Sequence, residues 1–375
     1  MRTLAFLAGL LLLLVPEVLR VYFIMPFPGS QEDMATDLRQ VDMAYWLHRN
    51  VWWLRLLGVA LVAGPALHHL RHGGWGRRLA VLIPLALAGI VAYLFNFRFM
   101  ADKMFLPVAN KLMAPVAQDP GPADDLVLAV ERHGEARAYP IELIGYHHQV
   151  LDTIGGEAVL VTYCTVCRTG RAFSPVVNGM PETFRLVGMD HFNAMFEDSR
   201  TGSWWRQATG ACIAGPLKGS TLLEVPSAQC TRGAFGRRYP QGLVMRPDPA
   251  FTAAYAGLKD YDEGNVPSPL VGRDTASWRP KSWVVGVVHK GLARAYDWNA
   301  LMRAGTIGDT LAGDSIVVRL HDDDRTFSAV VAHRAAHGLG GLPASPVPAY
   351  QEFWHSWRTF HPRTTQHQAV AGGRP

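Results

Sequence analysis

Hydrophobic positions follow two regimes along the chain. Up to about residue 100 they gather in long blocks, at 3–25, 51–69 and 79–97, each close to the roughly 20 apolar residues that a helix needs to cross a membrane. Beyond residue 125 they come in short runs separated by turn residues: 126–130, 136–139, 149–154, 158–163, 171–177 and 183–187. Runs of this length rich in Val, Ile, Thr and aromatics read as strands. The dipeptides between them, His133-Gly134, Gly155-Gly156 and Asn178-Gly179, accept positive φ at low cost and mark hairpins. One short helix is expected near 141–145. The pattern predicts about three transmembrane helices followed by a mainly β, antiparallel region.

The strand pattern returns 157 residues later without a gap. Gly134, Ala136, Arg137, Ala138 and Tyr139 recur as Gly291, Ala293, Arg294, Ala295 and Tyr296, and Asp152, Thr153 and Gly156 recur as Asp309, Thr310 and Gly313. Between residues 127 and 172 there are 14 identities in 46 positions, against about three for unrelated segments, which is the mark of an internal repeat. The expected organisation is a membrane anchor (1–100), a Pro- and Gly-containing linker (101–125), a first β unit (126–250) and a second (251–375), the two β units forming one extracytoplasmic domain.

Charge sets the expected orientation. Arg71, Arg77 and Arg78 lie between the second and third spans, while Glu32, Asp33, Asp37 and Asp42 precede the second. Since Lys and Arg favour the cytoplasmic side, the β region falls on the outer, periplasmic face of a bacterial inner membrane, with the lipid bilayer as its first partner. A cleaved signal peptide is the rival for the first block, whose apolar run ends at Pro16 and Glu17; no small-residue cleavage site follows it. The net charge of +5 is scattered, without the basic stripe and interleaved aromatics of a nucleic-acid binder.

Candidate chemistry centres on Tyr163-Cys-Thr-Val-Cys167, where an apolar strand runs into a turn. Two sulfurs at that spacing suit a redox dithiol, a soft metal ion (copper before zinc), or a local disulfide that ties the turn. In the second copy the segment becomes Leu320-His-Asp-Asp-Asp324, and His147 becomes Ala304, so only the first copy keeps the cluster. His147 precedes the strand expected to pair with the cysteine strand and is the expected third ligand or thiol activator. Asp198, Thr201, Ser203, Trp205 and Gln207 form a second polar segment that reads as a local turn with core tryptophans. Met189 and His191 just upstream are further soft donors. Cys212 and Cys230 are candidates for a structural disulfide in an oxidising compartment.

These segments together resemble the bacterial family catalogued as domain of unknown function 3179. The resemblance rests on Arg137-Ala-Tyr-Pro140, His147 to Gly156, Val161-Thr-Tyr-Cys-Thr-Val-Cys167, Asp198-x-x-Thr-Gly-Ser-x-Trp-x-Gln207 and Trp354-x-x-Trp357-x-x-x-His-Pro362. It departs from the family's pattern at Thr165 and Val166 between the cysteines, at His148, and at Arg232 and Phe235, where tryptophans are expected. The resemblance implies no established activity. Three readings of function remain: a soft-metal site for metal handling or redox work, a thiol–disulfide oxidoreductase, and a non-catalytic module binding another envelope protein.

Overall fold

The structure, a computed structural model, describes residues 1–28, 30–31, 38–332 and 344–368. Three N-terminal helices precede a β-rich region of antiparallel sheets. The acidic loop residues Glu32, Asp33 and Asp37 lie outside the described residues. The chain divides into two compact units: Met1–Leu106 with Phe184–Arg206 and Cys212–Ser220, and Pro107–Thr183 with Gln207–Ala211 and Thr221–Pro375. The backbone therefore passes from one unit to the other five times.

In the first unit the helices Arg2–Tyr22, Leu38–His72 and Trp75–Phe97 are each long and apolar enough to cross a membrane. The second starts well before the expected 51. At 1.5 Å per residue its 35 residues extend about 52 Å, against about 30 Å of hydrocarbon. Its N-terminal part carries Asp42, His48, Arg49 and Asn50, and this polar stretch packs on a four-stranded sheet in the same unit. That sheet runs Cys212–Ala214, Trp204–Arg206, Asn193–Asp198, Phe184–Asp190. Tyr45 meets the Trp204 ring edge-on at 5.1 Å, and Lys218 Nζ donates to Asp42 at 2.7 Å. One carboxylate joins the three helices: Glu17, 1% exposed, accepts from Arg20 (2.9 Å), Arg55 (2.5 Å) and Asn96 (2.9 Å). A charge among apolar helices is tolerated when it is saturated in this way.

The second unit contains the repeat. Strands Leu126–Arg132 and Glu135–Pro140, helix Ile141–His147, and strands Gln149–Ile154, Glu157–Cys164 and Thr169–Phe173 recur as Trp283–His289, Leu292–Asp297, Trp298–Ala304, Thr306–Leu311, Asp314–Leu320 and Phe327–Ala332. The likeness continues past the stretch legible in sequence, at a new offset of 122: Ser227–Thr231, helix Arg232–Arg238 and Leu243–Met245 become Ala349–Phe353, Trp354–Phe360 and Thr365–Gln366. Register confirms the equivalence, since Leu243 pairs in parallel with Arg137 and Thr365 with Arg294. The first copy is thus longer by 35 residues (157 less 122), and its extra chain includes the segments 184–206 and 212–220 that belong to the first unit.

Each copy is two four-stranded sheets closed over an apolar core, with a fifth strand, Met113–Pro115, on the edge of one sheet in the first copy. Leu128, Val130, Tyr139, Val159, Val161 and Tyr163 fill the first core; Val285, Val287, Tyr296, Ile316, Val318 and Phe327 fill the second. The hairpin dipeptides behave as expected, His133 and Gly134 at φ 50° and 83° and Gly155 and Gly156 at 56° and 82°. In both copies a buried tyrosine and an arginine hold one aspartate: Tyr139 and Arg137 on Asp152 (2.6 and 2.5 Å), Tyr296 and Arg294 on Asp309 (3.0 and 2.6 Å).

Candidate functional site: a buried thiol pair between the repeats

Strand Glu157–Cys164 is apolar on its inner face and ends at Cys164, which pairs with Thr169 across a tight turn. Cys167 sits in that turn. The chain can reverse there because Arg168 takes φ 55°, an uncommon conformation for a residue with a side chain. Its guanidinium is anchored on three sides: over the Trp283 ring at 3.9 Å, on Gln351 Oε1 at 2.9 Å and on the Tyr261 carbonyl at 3.3 Å. The turn is thereby pressed onto the second repeat. Phe353 N donates to the Cys167 carbonyl at 3.0 Å, and Arg171, fully buried, pairs with Glu352 while stacking on Tyr350 at 3.4 Å. Ser356 Oγ lies 3.3 Å from Thr169 Oγ1 and donates to Glu352 at 2.9 Å. Gln229 Nε2 bonds Gln351 Oε1 at 2.8 Å; these two glutamines are counterparts in the two copies.

Both thiols have no exposed surface. Two groups of the second repeat face Cys167. His355 Nε2 is 4.0 Å from its sulfur, while Nδ1 lies 3.0 Å from the Pro280 carbonyl. A carbonyl only accepts, so Nδ1 carries the proton and Nε2 presents its lone pair to the thiol. Burial, reinforced by the positive charge of Lys281, drives the His355 pKa down to about 3, so the ring is neutral. Lys281 Nζ donates to the carbonyls of Val166, at 2.7 Å, and Leu270. Burial lowers its pKa to about 8, with the two cysteines acting the other way. Burial and the neighbouring Cys164 push the Cys167 thiol well above its usual range, against the pull of Lys281 and Ser356. At neutral pH Cys167 is a protonated thiol beside a neutral acceptor and a nearby cation.

The other expected residues are distributed as follows. His147 closes its helix with Nε2 2.7 Å from the Tyr255 hydroxyl and its ring against Phe251. Among the described residues no group of three or more His, Cys, Asp or Glu is placed to hold a metal ion. Tyr163 is buried under Tyr261, ring centroids 6.1 Å apart. Gln207 bonds the cysteine hairpin through the Thr162 hydroxyl and the Thr169 carbonyl, both at 3.0 Å. Asp198 gathers Thr201 N, Thr201 Oγ1, Ser203 N and Trp205 Nε1 into a self-satisfied turn, as expected of a local motif. It belongs to the first unit, as do Met189 and His191; the latter bonds Asp190 at 2.6 Å. All four cysteines are free thiols. The candidate Cys212–Cys230 bridge is not formed: Cys212 donates to the Ala214 carbonyl at 3.4 Å in one unit, and Cys230 lies in the other.

A family profile described as protein of unknown function (DUF3179) matches residues 108–364, well over half of the chain. The chain belongs to the DUF3179 family. No curated protein and no solved structure matches it. The DUF3179 region spans both repeats, so the match covers the thiol pair together with the second-copy residues that face it. Sequence reasoning missed His355, Lys281, Arg171 and Glu352. The available signal was the Trp354-x-x-Trp357 segment, which encloses His355 and Ser356 but reads as aromatic packing.

Proposed function

We propose that the three helices anchor this DUF3179 protein in a bacterial inner membrane with its β-rich region on the periplasmic side, and that Cys164 and Cys167 act there as a shielded dithiol–disulfide couple. The anchor reading rests on the length and apolarity of the three helices and on Arg71, Arg77 and Arg78 between the second and third. The redox reading rests on one observation, two free, buried thiols three residues apart in one turn of the first repeat. In the step envisaged, the Cys167 proton passes to the leaving thiolate of the disulfide under attack, while Lys281 favours the Cys167 thiolate. The thiolate attacks a small disulfide and releases one thiol. Cys164 then resolves the mixed disulfide, forming the Cys164–Cys167 bond and releasing the second thiol. Two electrons and two protons leave the protein, and one disulfide is reduced. The burial of both sulfurs favours a small co-reactant over a folded protein.

A soft-metal site is the second reading, because two adjacent thiolates are by themselves a donor set for a monovalent copper ion. The test takes the full chain in detergent, equilibrated across reduced and oxidised glutathione and quenched by alkylation. Two thiols should disappear together at a single midpoint, and Cys164→Ser should leave Cys167 unpaired. Both thiols persisting in oxidised glutathione alone would overturn the couple. One equivalent of copper retained by the wild type and lost in Cys164→Ser would replace it with the metal reading.

A further inference from the structure

The three helix ends that meet near Gly73 carry charge that the chain does not neutralise. Arg2 opens the first helix, Arg71 lies in the last turn of the second, and Arg77 and Arg78 lie in the first turn of the third; all four are exposed. Arg2 Nη1 lies 2.9 Å from His68 Nε2, which joins the first helix to the second. Gly73 joins the second to the third, its carbonyl accepting from Arg78 Nε at 3.1 Å. A guanidinium can only donate, so the His68 ring accepts as a neutral imidazole and leaves the charge of Arg2 uncompensated. The neighbouring chain offers no carboxylate: there is no acidic residue before Glu17 and none between Asp42 and Asp102. None of the four arginines forms an ion pair among the described residues. Like charges gathered on one small surface repel one another and favour an anion from outside the chain.

Depth and surroundings select that anion. The first and third helices, of 21 and 23 residues, extend about 32 and 34 Å at 1.5 Å per residue, against about 30 Å of hydrocarbon. In a membrane their ends, and with them the arginines, stand at the level of the headgroups. Trp75 is exposed beside Arg77, as an interfacial aromatic would be. Leu4, Leu7 and Ile83, within two turns of the arginines, are exposed as well and give acyl chains an apolar surface. A phosphodiester presents paired anionic oxygens that match the guanidinium fork.

We propose that this surface binds an anionic phospholipid through its phosphodiester, with the acyl chains along the exposed faces of the first and third helices; the proposal rests on the anchor reading above. The test places the full chain in bilayer discs holding equal amounts of phosphatidylglycerol and phosphatidylcholine with the same acyl chains, and counts the retained lipids by native mass spectrometry. Phosphatidylglycerol should be preferred by about tenfold or more. Arg77→Gln and Arg78→Gln should each lower the preference by about fivefold, the worth of one arginine near an anionic surface, and together should abolish it. Arg98→Gln, at the other end of the third helix, should leave it unchanged. Equal retention of the two lipids by an inserted chain, an equal loss in Arg98→Gln, or displacement of the lipid by millimolar inorganic phosphate would each overturn the proposal. A chain that does not enter the discs would overturn the anchor reading along with it.

Discussion

Cys167 is held by opposing influences. Burial and Cys164 keep its proton on, while Lys281 and the Ser356 hydroxyl favour the thiolate. Alkylation of the native protein by iodoacetamide should therefore be slow at pH 7 and accelerate only under alkaline conditions, unlike the denatured chain. Lys281→Met should push that acceleration to still higher pH, and a rate unchanged from wild type would show that the ammonium does not act on the sulfur. Packing imposes a different constraint at Gly286, where an added Cβ would fall 2.2 Å from the Trp357 ring. The first copy has the matched alternative, Ala129 with the smaller Phe235. Gly286→Ala should destabilise by about 1–3 kcal/mol, read by denaturant unfolding, and Trp357→Phe in the same chain should recover part of the loss. The cysteines were legible from their spacing. His355 was not, because it stands 188 residues from Cys167 and only the docking of one repeat on the other brings it there.

Among the elements, those set by local chemistry were the readable ones. Strand Gln149–Ile154 falls where its alternation placed it, and the helix expected at 141–145 runs to His147. The second half of the repeat escaped notice because the insertion shifts its offset and few side chains are kept. The helix pair Arg232–Arg238 and Trp354–Phe360 shares a position in the fold but not a sequence. Docking of the two copies relies on the buried pair Arg171–Glu352. Arg171→Met would strand a carboxylate in the interior and should cost about 3–5 kcal/mol, whereas Arg171→Met with Glu352→Gln should cost less. The paired aspartates set the acid limit. Burial opposes their charge, yet the hydrogen bonds on Asp152 from Lys111, Tyr139 and Arg137, and on Asp309 from Arg294, Thr310 and Tyr296, bring both pKa values below the usual carboxylate range. Their contribution is present above the unfolded value near 4 and is lost as pH falls through the folded values. Asp309→Asn should flatten the fall in stability below about pH 4 in an acid titration, and a limb as steep as wild type would assign the loss elsewhere.

For the molecule as a whole, orientation is directly testable. In a chain whose four cysteines are replaced by serine, Gly74→Cys, between the second and third helices, should react with a membrane-impermeant maleimide only after the inner membrane is opened. Labelling in intact spheroplasts would invert the proposed topology. Composition and hydropathy announced the helices and the strands, but not how the chain is shared between its two units. That sharing has a practical consequence. Because the backbone changes unit five times, scission after Leu106 would not yield two self-sufficient pieces: the downstream piece would carry strands Phe184–Asp190 to Cys212–Ala214 stripped of the helix surface they pack on, leaving rings such as Trp204 wet. The helices are thus a folding partner as well as the proposed anchor, and biosynthesis must hold the first repeat incomplete until its excursion has found the helices made more than a hundred residues earlier.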